Sequence, residues 1–307
     1  YLDHGYIWWL ILEVIFSIIA SISLHYTTKR AFPKLEDTRQ SLDELKKKYP
    51  EIVIKIKQLF FHKIGSCALT QSSPIIIYAF TALTVVALYG NYVIIITGLT
   101  YLVTSVFNSM NASVGNLLVN SGKDYSLKIF KELFSLRFTI ISIICYVTYI
   151  CTPIFIKIWI GEQYILSSWT LIIMLLILHI SLSRLTVESF IYAKGLFKDI
   201  FAPVIEAIIN IGGSILLGYF WGLNGILLGV LLSLVIVVLG WKPYFLFINE
   251  YKGEYKFYLT IFFRNLIASC LAIVPSIALI PLIIPEELTS FVKLVYLFLL
   301  GTLIYSF

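Results

Sequence analysis

The chain has 307 residues, of which 59% are hydrophobic and 13% charged, with a formal net charge of +6. That charged share is about half of what a soluble domain carries, so a fully water-facing surface is excluded, and mean hydropathy is +0.92. The charge is also clumped: Gly65 to Gly122 and Ala207 to Trp241 contain no Asp, Glu, Lys or Arg, and such runs exceed the roughly 20 apolar residues that cross a bilayer.

Only helices or a closed barrel satisfy backbone groups in lipid. Barrel strands alternate apolar and polar residues, whereas Leu171 to Ile180 is apolar at nearly every position. The predicted class is an all-α, polytopic transmembrane helical bundle. A first span near 7–26 has Trp8, Trp9 and Glu13 at one boundary and runs into Lys29 and Arg30 at the other. No cleavable signal peptide is visible there. The chain starts at Tyr1 and ends at Phe307 inside an apolar run, which reads as a piece of a longer protein.

The segment from Lys29 to Lys63 holds ten basic residues. Ser41-Leu42-Asp43-Glu44 has the form of a capping box, followed by Lys46 to Lys48. After Pro50, Ile52, Ile56 and Leu59 recur at helical spacing. Two short helices are expected, the second lying at the interface, either as a linker between rigid lobes or as an ordinary solvated loop. Further spans are expected near 60–80, 85–107, 138–158, 165–190, 200–220, 222–241, 264–284 and 290–307. Gly218, Gly222, Asn224 and Gly225 mark a tight interhelical turn within Ala207 to Trp241. Under this nine-span division, twenty of the twenty-three Lys and Arg fall on one face. The exceptions are Lys157, Lys293 and Arg184. The positive-inside rule makes the basic face cytoplasmic, and the net charge then needs no nucleic-acid partner.

Several stretches carry a resemblance. Phe61-His62-Lys63-Ile64-Gly65, Ala87-Leu88-Tyr89-Gly90-Asn91-Tyr92, Ser105-Val106-Phe107-Asn108 and Ala112-Ser113-Val114-Gly115-Asn116-Leu117 come in order, and Asn210 is followed by Gly218 through Gly229. Together they resemble the Wzx-type polysaccharide-export flippases of bacteria, in the multidrug, oligosaccharidyl-lipid and polysaccharide exporter superfamily. The resemblance implies fourteen spans in two lobes plus a carboxy-terminal pair, of which this chain would hold the sixth to the fourteenth. Residues 1–28 would then be the last span of the first lobe, 29–62 the cytoplasmic interlobe linker, 63–250 the second lobe and 251–307 a truncated two-span extension. One departure is clear: where the family frequently has Gln followed by Asp and Asn, this chain has Gln71-Ser72-Ser73-Pro74.

The implied function is transport of polyprenyl-pyrophosphate-linked oligosaccharides across the bacterial cytoplasmic membrane by alternating access. Its partners would be the lipid-linked oligosaccharide, membrane lipids and other polysaccharide-assembly proteins. No cofactor is expected, and coupling to Na+ or H+ is left open. A multidrug exporter of the same superfamily is the nearest alternative. A membrane-embedded sugar polymerase or ligase is the alternative from another class, but the expected outer loops are short and hold no paired carboxylates, Ser/His/Asp set or metal-spaced ligands.

Polar residues within spans are the site candidates, because ionisable groups in lipid are expensive. Arg184 with Glu188 one turn later either grips an anionic pyrophosphate or forms a pair that anchors the helix. Glu206 and Asn210, also one turn apart, either line a cavity and couple to a cation or bond between helices. Gln71, before Ser72, Ser73 and Pro74, marks either a broken-helix binding site or a packing kink. Lys63 at the mouth of its span either meets a phosphate or snorkels. His179 shares a face with Ser183 and reads as interhelical bonding. Gly225 and Gly229 read as close helix packing. Cys67, Cys145, Cys151 and Cys270 read as buried membrane thiols.

Overall fold

The computed structural model describes residues 2–32, 42–50, 53, 56, 60, 72–119, 122–196, 199, 201–283 and 290–306. Among them the regular elements are all helical. Two compact units are distinguished, Tyr1–Ile56 and Lys57–Phe307.

The first unit contains α1 (Leu2–Ala31) and α2 (Leu42–Lys48). At 1.5 Å per residue α1 is about 45 Å long, enough to cross a hydrocarbon core. Its side chains from Ile7 to Phe32 are all exposed, including Trp8, Trp9 and Phe16. Thr27 and Thr28 turn their hydroxyls back onto Ser23 O and Leu24 O, both at 2.8 Å, which hides polar groups on an apolar helix. Lys29 and Arg30 occupy its last turn, where the helix dipole favours cations. α2 has the complementary order, with Asp43 and Glu44 first and Lys46 to Lys48 last. The predicted interfacial helix after Pro50, and most of the span predicted at 60–80, lie outside the described residues.

The second unit begins with helical residues 72–80, here α3, then α4 (Leu83–Ser109) and α5 (Asn111–Val119), which are separated at Met110. α6 (Lys123–Trp159) and α7 (Ser168–Ala193) form its centre. α4, α5 and α8 (Phe201–Ser233) pack on α7, and α10 (Tyr255–Ile283) and α11 (Ser290–Ser306) pack on α6. A π-helical stretch, Leu234–Trp241, connects α8 to α9 (Lys242–Glu250).

α8 is two helices. Gly222 has φ 54° and ψ −132°, a conformation open to glycine because it lacks Cβ, and there the chain reverses. Ser214 donates to Ile226 O at 3.0 Å, and Asn210 Nδ2 lies 3.5 Å from Ser233 Oγ, the pairing of antiparallel neighbours. The turn predicted from Gly218, Gly222, Asn224 and Gly225 is therefore present. Small residues make it possible: a Cβ on Gly229 would strike the backbone of Gly213 and Ser214, and one on Gly225 the backbone of Leu217. At its tip Asn224 Oδ1 accepts from Thr170 Oγ1 at 2.7 Å, tying the hairpin to the start of α7.

Two cores stack along α6 and α7. One end is aromatic, where Phe130, Phe134, Phe138, Phe190, Phe247, Tyr251 and Tyr258 interlock, many edge to face, as with Phe130 and Phe247 at 5.2 Å and 86°. The other end is mainly aliphatic, built from Ile141, Ile156, Leu171, Met174, Leu178 and Leu227 around Tyr92 and Phe107. The aromatic core unites the start of α6, the end of α7, α9 and the start of α10. Beside this aromatic core, two of the basic residues predicted on one face form ion pairs, Lys123–Glu254 at 2.5 Å and Lys194–Glu250 at 2.7 Å. Lys157 lies at the other end, paired with Glu162 at 2.7 Å. In that aromatic junction, burial pushes the Tyr251 phenol above its ordinary value, opposed by its 2.6 Å bond with Ser126 Oγ.

Two expectations change. α6 starts at Lys123, fifteen residues before the predicted span, because Ser126, Leu127, Phe130 and Phe134 continue its buried face through the basic residues. Of the described cysteines, Cys145 and Cys151 are half-buried, but Cys270 is exposed; Cys67 lies outside the described residues.

Candidate functional site

Four ionisable side chains meet where α7, α8 and α9 converge. Arg184 and Glu188 share a face of α7 because they are one turn apart; Arg184 Nε is 3.8 Å from Glu188 Oε1. The shorter Arg184 contact is to α8: its Nη2 donates directly to Glu206 Oε1. Glu206 is 1% exposed, and that guanidinium is its one ion-pair partner among the described residues. Glu188 is held independently by Lys242, with Nζ 2.5 Å from Oε1.

Lys242 owes its place to the π-helical stretch. Its amide bonds to Val237 O, five residues back. One additional residue in a turn shifts everything after it by about 100° around the helix axis, which aims Lys242 at α7. Pro243 follows directly, so a backbone donor is missing where the helix passes from the π-helical stretch into α9.

The network leaves particular atoms without hydrogen-bond partners among the described residues: Arg184 Nε, Glu206 Oε2, Asn210 Oδ1 and, on the same stretch of α7, Thr186 Oγ1. Asn210 is 2% exposed. The predicted pairs Arg184/Glu188 and Glu206/Asn210 are therefore brought together in one site. Gln71 and Lys63 lie outside the described residues. Of the neighbours of Gln71, Ser73 is buried, and Ser72 Oγ has no described partner. His179 is separate, with Nε2 2.9 Å from Ser142 Oγ on α6, the interhelical bond expected of it. Ser142 in turn accepts from Ser269 of α10 at 3.1 Å.

Arg137 is one of the twenty basic residues expected on the cytoplasmic face, and the structure puts it inside the bundle at 1% exposure. Its Nη2 donates to Phe107 O at 3.2 Å and its Nη1 to Ser189 Oγ at 3.4 Å, and its guanidinium lies 4.8 Å from the Phe107 ring centroid. Ser189 Oγ is itself 2.7 Å from Asn111 Oδ1. Phe107 is in the last turn of α4, where the helix dipole is negative. Arg137 thus cements the α4–α5 break to α6 and α7, and among the described residues it has no carboxylate in ion-pair range. A buried charge is costly unless fully compensated, and similar-volume apolar replacements often match or exceed its stability. Arg137→Met, which leaves Phe107 O bonded to Met110 N at 3.2 Å, is expected to melt in detergent at or above the wild-type midpoint. A drop corresponding to more than about 2 kcal/mol would show that the guanidinium contributes to folding.

Among the described residues, no three His, Cys, Asp or Glu side chains gather as a metal site would require. The described residues contain six helical runs long and apolar enough to cross a membrane. Large apolar side chains such as Ile94, Leu102, Trp169, Ile208 and Leu216 are exposed along them, far beyond the patches that water tolerates. Arg137, Arg184, Glu188, Glu206 and Lys242 lie within three of those runs. The class defined by fold and site is a multi-pass, all-α membrane protein with a charged network inside its bundle. No protein-family model matches the chain, and no match is found among the curated proteins or the solved structures.

Proposed function

We propose that this protein is a flippase that moves polyprenyl-pyrophosphate-linked oligosaccharides across the bacterial cytoplasmic membrane by alternating access. The observation that carries the reading is Arg184, an intramembrane guanidinium shared between carboxylates on its own helix and on α8. Intramembrane ionisable groups mark substrate or ion pathways by default. A guanidinium fork matches the oxygens of a pyrophosphate, and exchanging one anionic partner for another leaves its charge compensated throughout. Among the described residues the network sets two cations, Arg184 and Lys242, against two acids, Glu188 and Glu206, and Arg137 adds a further buried cation with no carboxylate in ion-pair range. That balance favours an anionic cargo over the cationic drugs of a multidrug exporter. The sequence resemblance to Wzx-type flippases supports the same cargo, and the nine spans expected from the sequence would be the sixth to fourteenth of that group; the reversal of α8 at Gly222 accounts for two of them within one of the six long apolar runs.

Full-length protein in proteoliposomes is expected to render a fluorescent polyprenyl-pyrophosphate saccharide accessible to an impermeant quencher, and to leave a cationic dye untouched. Dye movement without lipid movement would replace this reading with the drug exporter. The orientation is tested separately. Lys46→Cys, on α2, is expected to resist an impermeant thiol reagent in intact cells and to react after permeabilisation; labelling from outside would invert the topology.

A further inference from the structure

We infer that Glu206 is a proton-binding site, and that it takes up its proton when an anion draws Arg184 away. The anion half of this inference rests on the cargo reading above; the proton half rests on the geometry of α8. Glu206 Oε2 and Asn210 Oδ1 are buried, lie one turn apart on one helix face and have no hydrogen-bond partner among the described residues. Both are acceptors while the carboxylate is ionised, so neither can satisfy the other. Transfer of one proton from water to Oε2 forms one O–H bond and turns that oxygen into a donor toward Asn210 Oδ1. Asn210 Nδ2 is already turned toward Ser233 Oγ, 3.5 Å away.

The two carboxylates of the network respond differently to the loss of Arg184. Glu188 retains Lys242 at 2.5 Å. Glu206, 1% exposed, retains no other ion-pair partner among the described residues, and an isolated buried carboxylate neutralises itself rather than remain charged. The proton therefore goes to Glu206. Among the described residues, the elements packed against α8 bring no other compensating group; α3, whose Ile76 and Ile77 meet Ile226, has only the exposed Tyr78 as a titratable side chain. On α7 the charged or titratable side chains are His179, Arg184, Glu188 and Tyr192; the π-helical stretch has none; Tyr89 of α4 packs near Leu223 at the hairpin tip. Because linkage is reciprocal, acidification strengthens anion binding by up to about tenfold per pH unit when one proton accompanies one anion.

The test uses the full-length protein and infrared difference spectra in the carboxylic-acid carbonyl region. Arg184→Gln without ligand is expected to show a protonated-carboxyl band that disappears in Arg184→Gln/Glu206→Gln. Its absence overturns the proton site, whatever the cargo. In the wild type, farnesyl pyrophosphate is expected to raise the same band, and to gain affinity on acidification relative to Glu206→Gln. Binding without the band overturns the coupling, and a band replaced by Na+-dependent binding assigns the two oxygens to a metal cation instead. If farnesyl pyrophosphate binds equally to wild type and Arg184→Gln, the cargo reading and the coupling both fall, while the ligand-free band still decides the proton site.

Discussion

Gly229→Ala is expected to prevent accumulation of folded protein. The methyl group would enter the backbone of Gly213 and Ser214, not the flexible end of a side chain, so the two arms of the α8 hairpin must separate along their length. Overpacking a core typically costs about 1–3 kcal/mol and occasionally more; relief here requires a rigid helix to shift, which places the cost at or above the upper end. Separation would also break the bond from Ser214 to Ile226 O at 3.0 Å and draw Glu206 from Arg184. Gly212→Ala is the matched control. A Cβ there meets nothing within 4 Å, so the exchange is expected to gain up to about 1 kcal/mol through higher helix propensity. Size-exclusion profiles and thermal melting in detergent read both. Equal behaviour of the two variants would show that the close approach of the hairpin arms is not needed for folding.

Arg184→Ala is expected to abolish restoration of surface polysaccharide in a flippase-deficient strain while the protein still inserts into the membrane. It also leaves Glu206 buried without its cation, and breaking a buried pair from one side costs about 3–5 kcal/mol, less whatever protonation of the carboxyl recovers. Stability and function are separable through Arg184→Gln/Glu206→Gln. Two neutral amides can bond to each other at the same place, so the double variant is expected to melt near wild type but remain inactive. Wild-type polysaccharide in the double variant would remove Arg184 from the transport mechanism. An unfolded double variant would show that the pair serves the fold in a way neutral groups cannot.

Composition and periodicity were sufficient for everything that depends on the solvent. A chain with charge-free runs as long as Gly65 to Gly122 has one stable answer in lipid, which is to close its backbone hydrogen bonds within helices. The glycines around Gly222 announced the reversal, because a positive φ and a backbone-to-backbone approach are properties of the residue itself. The pairing of Arg184 with Glu188 was legible for the same reason: helical spacing alone places them together. Glu206 as the closer partner of Arg184 was not, since twenty-two residues and a turn of chain separate them and nothing local encodes the approach of α7 to α8.

Lys242 and Arg137 show what only the tertiary structure decided. Both stand at the edges of apolar runs, where the sequence is satisfied by a solvated lysine or arginine. The π-helical stretch turns Lys242 inward, and the extension of α6 by fifteen residues carries Arg137 into the core. The hydrophobic pattern sets which segments leave water, a property summed over many side chains. The destination of a single charge depends on a helix register and a helix start, and those are selected by packing between segments that are distant in the chain.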